Sequence, residues 1–436
     1  MCTRKSNGRI AYLTNDTVAA SQILGTPFYV PGPGVKFATV SPTQPFSFFT
    51  SFFTNSGNKY FLFQGAGIGS GELVLTIFQG TNILGRTSAW LDLRDIKAMY
   101  EQVLITNVSD ATPNSLTSGY SPDVTLPPNS SEGKQLVVFV HGWRMGQWDY
   151  YSFSETMFKR LYWQGYQGRF ASVRWQTLSQ DDFRLPVLDL FTYNKSEFRA
   201  HQSGIGVANY FNWLRGRFPD YSISVCSHSM GGIVMMQALN AELAASRQDI
   251  DNYVLMQAAV PAHCYDTNLA NYAPFLTAES SSPTPDTYRG YPGSINGALR
   301  GRMVNFFNTN DYALATGTIL GRAINWEGNE ISYKPDTGYY ITSGTNAWKT
   351  GTPSRLLTDF REVMSFAARP RSKAVGAQPD VGGVILTSQE MDLTGQFNFQ
   401  SDKTEHSAQF NYNIQRAWPF YRQLGVSLEV LSPQTP

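Results

Sequence analysis

The chain has 436 residues, with 34 Lys+Arg against 33 Asp+Glu and a formal net charge of +1. That balance argues against nucleic acid as a partner, because holding a polyanion needs a surplus of basic side chains gathered on one face. Charged residues make up only 15% of the chain, against about 25% in an ordinary soluble protein; Ser, Thr, Asn, Gly and aromatics fill the deficit, with apolar material enough to exclude disorder for the bulk of it.

At about 150 residues per domain, two to three domains are expected, or one large domain with an appendage. Residues 1–130 contain short aromatic or β-branched runs such as Lys59-Tyr60-Phe61-Leu62-Phe63 and Glu72 to Phe78, punctuated by Gly, Pro and Asn clusters. This third reads as a β-rich, sandwich-like module in which Glu72 to Phe78 is a largely buried strand. Ser109 to Lys134, rich in Ser, Pro, Gly and Asn, reads as a linker. From Lys134 the rhythm changes. Leu136-Val137-Val138-Phe139-Val140 is a continuous apolar run, as in a strand covered on both faces. A helix is expected over Tyr151 to Gln164, a strand near Phe170 to Trp175, and a helix around Ser196 to Gly216. A strand over Tyr221 to Cys226, a helix from Met230 to about Ala245, and strands Asn252 to Val260 and Met303 to Asn308 follow. A terminal helix runs through Trp418 to Leu424. Strands alternating with helices imply crossover connections, hence a mostly parallel sheet with helices on both faces and a ligand site at the carboxyl ends of its strands.

Two long stretches interrupt this rhythm. Tyr265 to Gly301 is rich in Ser, Pro, Thr and Tyr and too long for a plain connection, so it reads as a cap or as a surface excursion without a catalytic role. Asn325 to Lys349, within an insertion of about 325–400, is aromatic and β-like. No run of about 18 apolar residues occurs, so a membrane-spanning helix is not expected. The first residues lack the apolar core of a secretory signal. Low charge with abundant Asn, Thr and Tyr nevertheless suits an exported protein whose leader is absent from this sequence; a cytoplasmic one is the alternative. Cys2, Cys226 and Cys264 cannot all pair, and free buried thiols are expected over a Cys226–Cys264 bridge.

The strongest chemical signal is Ser227-His228-Ser229-Met230-Gly231-Gly232, directly after an apolar strand and directly before an apolar helix. That is the setting of a nucleophile elbow, a G-x-S-x-G turn that forces a serine into a strained corner, here with Ser227 where glycine usually stands. The second signal is Val140-His141-Gly142-Trp143, at the end of the first parallel strand. Alone, it reads equally as a strand ending in a tight glycine turn.

Together these motifs resemble the α/β-hydrolase superfamily in its lipase and esterase branch, over about residues 134–430. The resemblance implies an α/β-hydrolase fold behind the β-rich module and a serine hydrolase that cleaves carboxylic esters through an acyl-enzyme, without a cofactor. It implies Ser229 as nucleophile, with the backbone N–H groups of Trp143 and Met230 as the oxyanion hole; His141, Gly142, Ser227, His228 and Gly231 support the motifs. The family order of nucleophile, acid and base points to His406, in the loop before the terminal helix, with His263 in reserve among five histidines. His201 precedes the nucleophile and falls outside that order. The acid is then Asp311, after the strand Met303 to Asn308, with Asp266 as competitor. The expected substrate is a small, lipid or polymeric ester. The same triad could serve a thioesterase, an amidase or a polyester depolymerase, and a non-catalytic binding protein on this fold would lack a triad member. Metal-ligand spacings do not occur, and Gly65-Ala66-Gly67-Ile68-Gly69 lacks the spacing of a dinucleotide loop.

Overall fold

The computed structural model describes residues 40–49, 69–108, 118–128, 132–177, 189–260, 265, 295–309, 311, 314, 323–324, 330–334, 338–341, 374–377, 391–392, 406–410 and 414–433. Strands β1 (Gly69–Gln79) and β2 (Asn82–Leu93) form an antiparallel hairpin. β3 (Glu101–Thr106), β4 (Gly119–Val124), β5 (Gln135–Val140), helix α1 (Gln147–Trp163), β6 (Arg169–Arg174), α2 (Asp189–Arg217) and β7 (Ser222–His228) follow. Then come α3 (Gly231–Ala244), β8 (Asn252–Met256), β9 (Met303–Phe307), β10 (Ala323–Ile324), β11 (Glu330–Lys334), β12 (Gly338–Ile341), β13 (Met391–Asp392) and α4 (Ile414–Ser427).

Eight strands make the main sheet in the order β13-β9-β8-β7-β5-β6-β3-β4, parallel except for the β3–β4 pair. The apolar runs explain it: β5 and β8 are buried along nearly their whole length because both sheet faces are covered. Strand period sorts their side chains. Leu136, Val138 and Val140 face one layer with Ile223 and Val225, packed under α2 and α3. Val137 and Phe139 face the other with Cys226, Met157 and Leu161 of α1 and Phe420 and Leu424 of α4. Because β5 lies between β6 and β7, chain order reverses there, and the crevice beyond the carboxyl ends of β5 and β7 is the topological switch point.

The described part of the N-terminal third is β-rich, as the sequence predicts, but its strands are arranged differently. Glu72 to Phe78 is a strand, but among the described residues it pairs only with β2, in a two-stranded sheet, and it is largely exposed, with Leu75, Ile77 and Phe78 open to solvent. Apolar content alone does not bury a strand whose partner sheet has two members. β3 and β4 do not belong to a separate sandwich; they extend the main sheet, so that sheet begins well before the expected boundary at 130. β4 lies inside the stretch read as linker because Gly119, Pro122 and Asp123 give it a turn-like composition. An edge strand with a bulge tolerates such residues, and the β3–β4 register slips beside Pro122.

Elsewhere boundaries shift by a few residues. α1 begins at Gln147, where the Asp149 carboxylate accepts the Gly146 N–H (3.2 Å). α2 starts at Asp189, ahead of the expected Ser196. β8 stops at Met256, short of Val260, because Gln257 turns to φ 45°. β10, β11 and β12 form a three-stranded antiparallel sheet carrying Tyr333, Tyr339 and Tyr340, as the aromatic β-like stretch predicts. The proposed cap over Tyr265 to Gly301 lies mostly outside the described residues, as do Cys2, Cys264, His263 and Asp266. Cys226 is a free thiol. No helix among the described residues is long and apolar enough to cross a membrane.

Candidate active site

Ser229 stands between the last residue of β7 and the first of α3, at φ 53°. A left-handed backbone at a serine costs on the order of 1–2 kcal/mol, and the surroundings hold it there. The Ser229 N–H donates to Met256 O (3.1 Å), while Ser229 O accepts the N–H groups of Gly232 and Ala259 (both 2.9 Å). Gly231 is required by close approach, since a Cβ there would stand 2.5 Å from His141 O and 2.7 Å from Val140 O. Ser227 fits where a glycine is usual because its hydroxyl is hydrogen bonded to the Tyr253 hydroxyl (2.7 Å) inside the core. Met230 is buried at the N-cap of α3, so its N–H is among those a helix start leaves without an intrahelical acceptor.

The His141-Gly142-Trp143 loop meets this corner from β5. A Cβ built on Gly142 would come 3.0 Å from Ser229 Cβ. His141 is fully buried, stacked on Trp175 (5.4 Å between ring centroids) and edge-on to Tyr150 (5.4 Å). Its Nδ1–H donates to Gly142 O (2.8 Å) and its Nε2 accepts the Trp175 N–H (3.3 Å), which fixes one neutral tautomer. Burial, the largest cause, pushes its pKa down to about 4, so it stays neutral. A carbonyl and the following N–H point to opposite sides of one peptide plane. By pinning Gly142 O, His141 also fixes the direction of the Trp143 N–H. Arg144 follows in the left-handed region (φ 63°), its N–H on Thr177 Oγ1 (3.2 Å).

At the β9 end, Asp311 Oδ2 lies 2.6 Å from His406 Nδ1, across 95 residues of chain. The same oxygen accepts Gln257 Nε2–H (2.7 Å), and Oδ1 accepts the Leu314 N–H (3.2 Å). His406 is tied to the elbow through its backbone. His228, next to Ser229, donates Nε2–H to His406 O (3.0 Å), and the two rings lie 4.9 Å apart. Burial first, then the neighbouring His406, holds the His228 pKa down at about 3. Asp311 is sealed from solvent at 0% exposure, whereas Ser229 and His406 keep 8% and 9%, and the His406 side chain 11%.

The structure thus gathers Ser229, His406, Asp311, His141, Gly142, Trp143, Ser227, His228, Met230 and Gly231 at one rim of the sheet. His201 lies apart on α2, buried against α3, its Nδ1 accepting the Gln237 amide (3.2 Å); burial pushes its pKa down to about 4. Sequence reasoning missed Tyr253, Trp175 and Gln257. The one visible signal was for Gln257, a lone amide within the apolar run Tyr253 to Val260 at the carboxyl end of a strand. Among the described residues no group of three or more His, Cys, Asp or Glu could hold a metal ion.

The strand order, the crossovers and the elbow at the switch point define an α/β-hydrolase fold. Residues 128–324 match the family described as alpha/beta hydrolase of unknown function (DUF900). That match takes in His141, Ser229 and Asp311; His406 lies beyond it. No curated protein matches the chain. Among solved structures, an esterase of Pyrobaculum calidifontis is similar at 14% identity, covering 50% of this chain and 69% of that one (TM-score 0.26). A mature Bacillus licheniformis lipase is similar at 15% identity over 43% of this chain and 71% of its own (TM-score 0.23). A thermostable carboxylesterase cloned from a metagenomic library is similar at 16% identity, with 42% and 63% covered (TM-score 0.23).

Proposed function

We propose that this α/β-hydrolase is a serine esterase. Ser229 attacks an ester carbonyl while His406 takes its proton, and Asp311 holds the imidazole by Nδ1 and stabilises the imidazolium that forms. The N–H groups of Trp143 and Met230 receive the oxyanion, a contribution of about 3–4 kcal/mol per donor. His406 then protonates the leaving alcohol, and water hydrolyses the acyl-enzyme by the same steps in reverse. The observation that carries the reading is the joint geometry of a serine at φ 53° and a His406–Asp311 pair 2.6 Å apart, joined to it through His228. A purely structural serine gives no reason for left-handed strain at an elbow beside such a pair. An ester of a small alcohol, a lipid or a polymer suits the reading; export from the cell is proposed on composition alone.

The test is labelling by a fluorophosphonate together with hydrolysis of p-nitrophenyl esters of several chain lengths. Wild-type protein is expected to be labelled and active, and Ser229→Ala neither. Labelling without activity on any ester moves the reading to another acyl bond; absence of both overturns it.

A further inference from the structure

The residue that aims the acid stands outside every motif. Gln257 follows the last residue of β8, buried, at φ 45°. A left-handed conformation is cheap for glycine and for asparagine or aspartate; a glutamine gains nothing locally from it. Its backbone is nonetheless fixed from two sides. The Gln257 N–H donates to Phe306 O (2.8 Å) on β9, and Gly376 packs so closely that a Cβ there would overlap the Gln257 backbone. Gly376 also connects to the acid: its carbonyl accepts the Asn308 N–H (2.9 Å), and Asn308 O accepts the Asp311 N–H (3.1 Å). The position of Gln257 and that of the Asp311 loop are therefore set by the same glycine.

From that fixed backbone the Gln257 amide reaches Asp311 Oδ2 at 2.7 Å, the oxygen that faces His406 Nδ1 at 2.6 Å. Leu314 N–H holds the other oxygen. A carboxylate gripped at one oxygen only can rotate about its terminal torsion, which is soft. Gripped at both, its plane is fixed, and Oδ2 points along the line on which the imidazole must lie. We infer that Gln257 is a positioning residue of this hydrolase: its amide orients Asp311 so that His406 presents Nε2, unprotonated, toward Ser229. It touches no substrate and transfers no proton. This inference rests on the triad proposed above.

Two variants test it. Gln257→Met keeps the length and loses the donor; Gln257→Gly loses the donor and relieves the left-handed strain, so it is expected to fold. Three quantities are read in each: the melting temperature, kcat and KM on a p-nitrophenyl ester, and the downfield proton resonance of the His406 Nδ1–H. Both variants are expected to lose about 10- to 100-fold in kcat with KM within about threefold, as befits a lost hydrogen bond to a charged group. The downfield resonance shifts or broadens, while Gln257→Gly melts close to wild type. A structural role alone would spare kcat and the resonance in Gln257→Gly. Wild-type kcat and an unmoved resonance in that variant overturn the assignment of Gln257 while fluorophosphonate labelling of Ser229 stands. A wild-type protein that is never labelled at Ser229 overturns the triad and this inference with it.

Discussion

Asp311→Asn replaces one carboxylate oxygen by an NH2 group and tests the arrangement from inside. In the native site Oδ2 accepts from His406 and Gln257, and Oδ1 accepts from Leu314. An amide has one oxygen and one NH2 to set against these three donors. If the oxygen takes the Oδ2 place, the NH2 faces the Leu314 N–H in a fully buried spot, donor against donor, at a cost of about 1–3 kcal/mol. If the NH2 takes the Oδ2 place, it meets the Gln257 NH2, and His406 must turn its lone pair to Nδ1. The proton then sits on Nε2, and the base is lost. Either arrangement also removes the charge that stabilises the imidazolium. A fall of about 10³–10⁴ in kcat is expected, equivalent to about 4–5.5 kcal/mol of barrier, with little change in KM. Steady-state hydrolysis of a p-nitrophenyl ester measures it, with circular dichroism melting as the check on folding. An Asp311→Asn enzyme within tenfold of wild-type kcat would refute the reasoning.

Gly231→Ala places a methyl against the backbone carbonyls of His141 and Val140, neither of which can rotate away. A loss of about 1–3 kcal/mol in urea unfolding is expected together with reduced activity; an unchanged midpoint would contradict the packing. His141, His201 and His228 are held neutral in the fold, with pKa values near 4, 4 and 3, against about 6.5 when unfolded. Between those values the unfolded chain binds more protons, so stability is fully present above about pH 6.5 and falls as the pH drops toward 4, by up to about 1.4 kcal/mol per pH unit for each histidine. Urea midpoints at pH 7, 5.5 and 4.5 follow this, and His201→Gln is expected to flatten the slope by one proton; parallel slopes in the two proteins would refute it. Burial pushes the Cys226 thiol far up, so native protein is expected to leave Cys226 unmodified by a thiol reagent until urea unfolds it, as peptide mass spectrometry would record.

The parallel-sheet half of the fold was legible because its strands obey simple rules. Leu136 to Val140 is apolar without alternation, and only a strand covered on both faces is built that way. The elbow was legible because Ser229 needs small neighbours, and the close approach at Gly231 leaves a mark in the sequence. The burial of β1 and the sheet membership of β4 were misread for the opposite reason. Glu72 to Phe78 has the composition of a core strand, yet exposure there depends on how many strands join it, which no local pattern records. Gly119 to Val124 joins the sheet edge despite Pro122, because an edge strand may leave a backbone donor missing. Gln257 stood out as a lone amide in an apolar run, but its role was out of reach for a third reason. Its meaning lies in an oxygen of Asp311, 54 residues further along.

The histidines show how burial assigns roles to one side chain. His141 and His228 each give a single N–H to a backbone carbonyl, and each is kept neutral by burial. Neutrality is what the proposed reaction requires of His228. Its ring lies 4.9 Å from that of His406, the group that must become an imidazolium in the proposed reaction. Two unit charges at that distance repel by about 3 kcal/mol at an effective dielectric of about 20. A protonated His228 would therefore raise the barrier by more than a hundredfold in rate. The apolar wall around it, with the Phe410 ring edge-on at 5.1 Å, prevents this by withholding the solvent a charge would need. His406 differs in two respects: a carboxylate stands at its Nδ1, and its side chain keeps 11% exposure. In the proposed reaction those differences separate the roles: His406 takes the proton from Ser229, and His228 acts as a backbone clamp without competing for it.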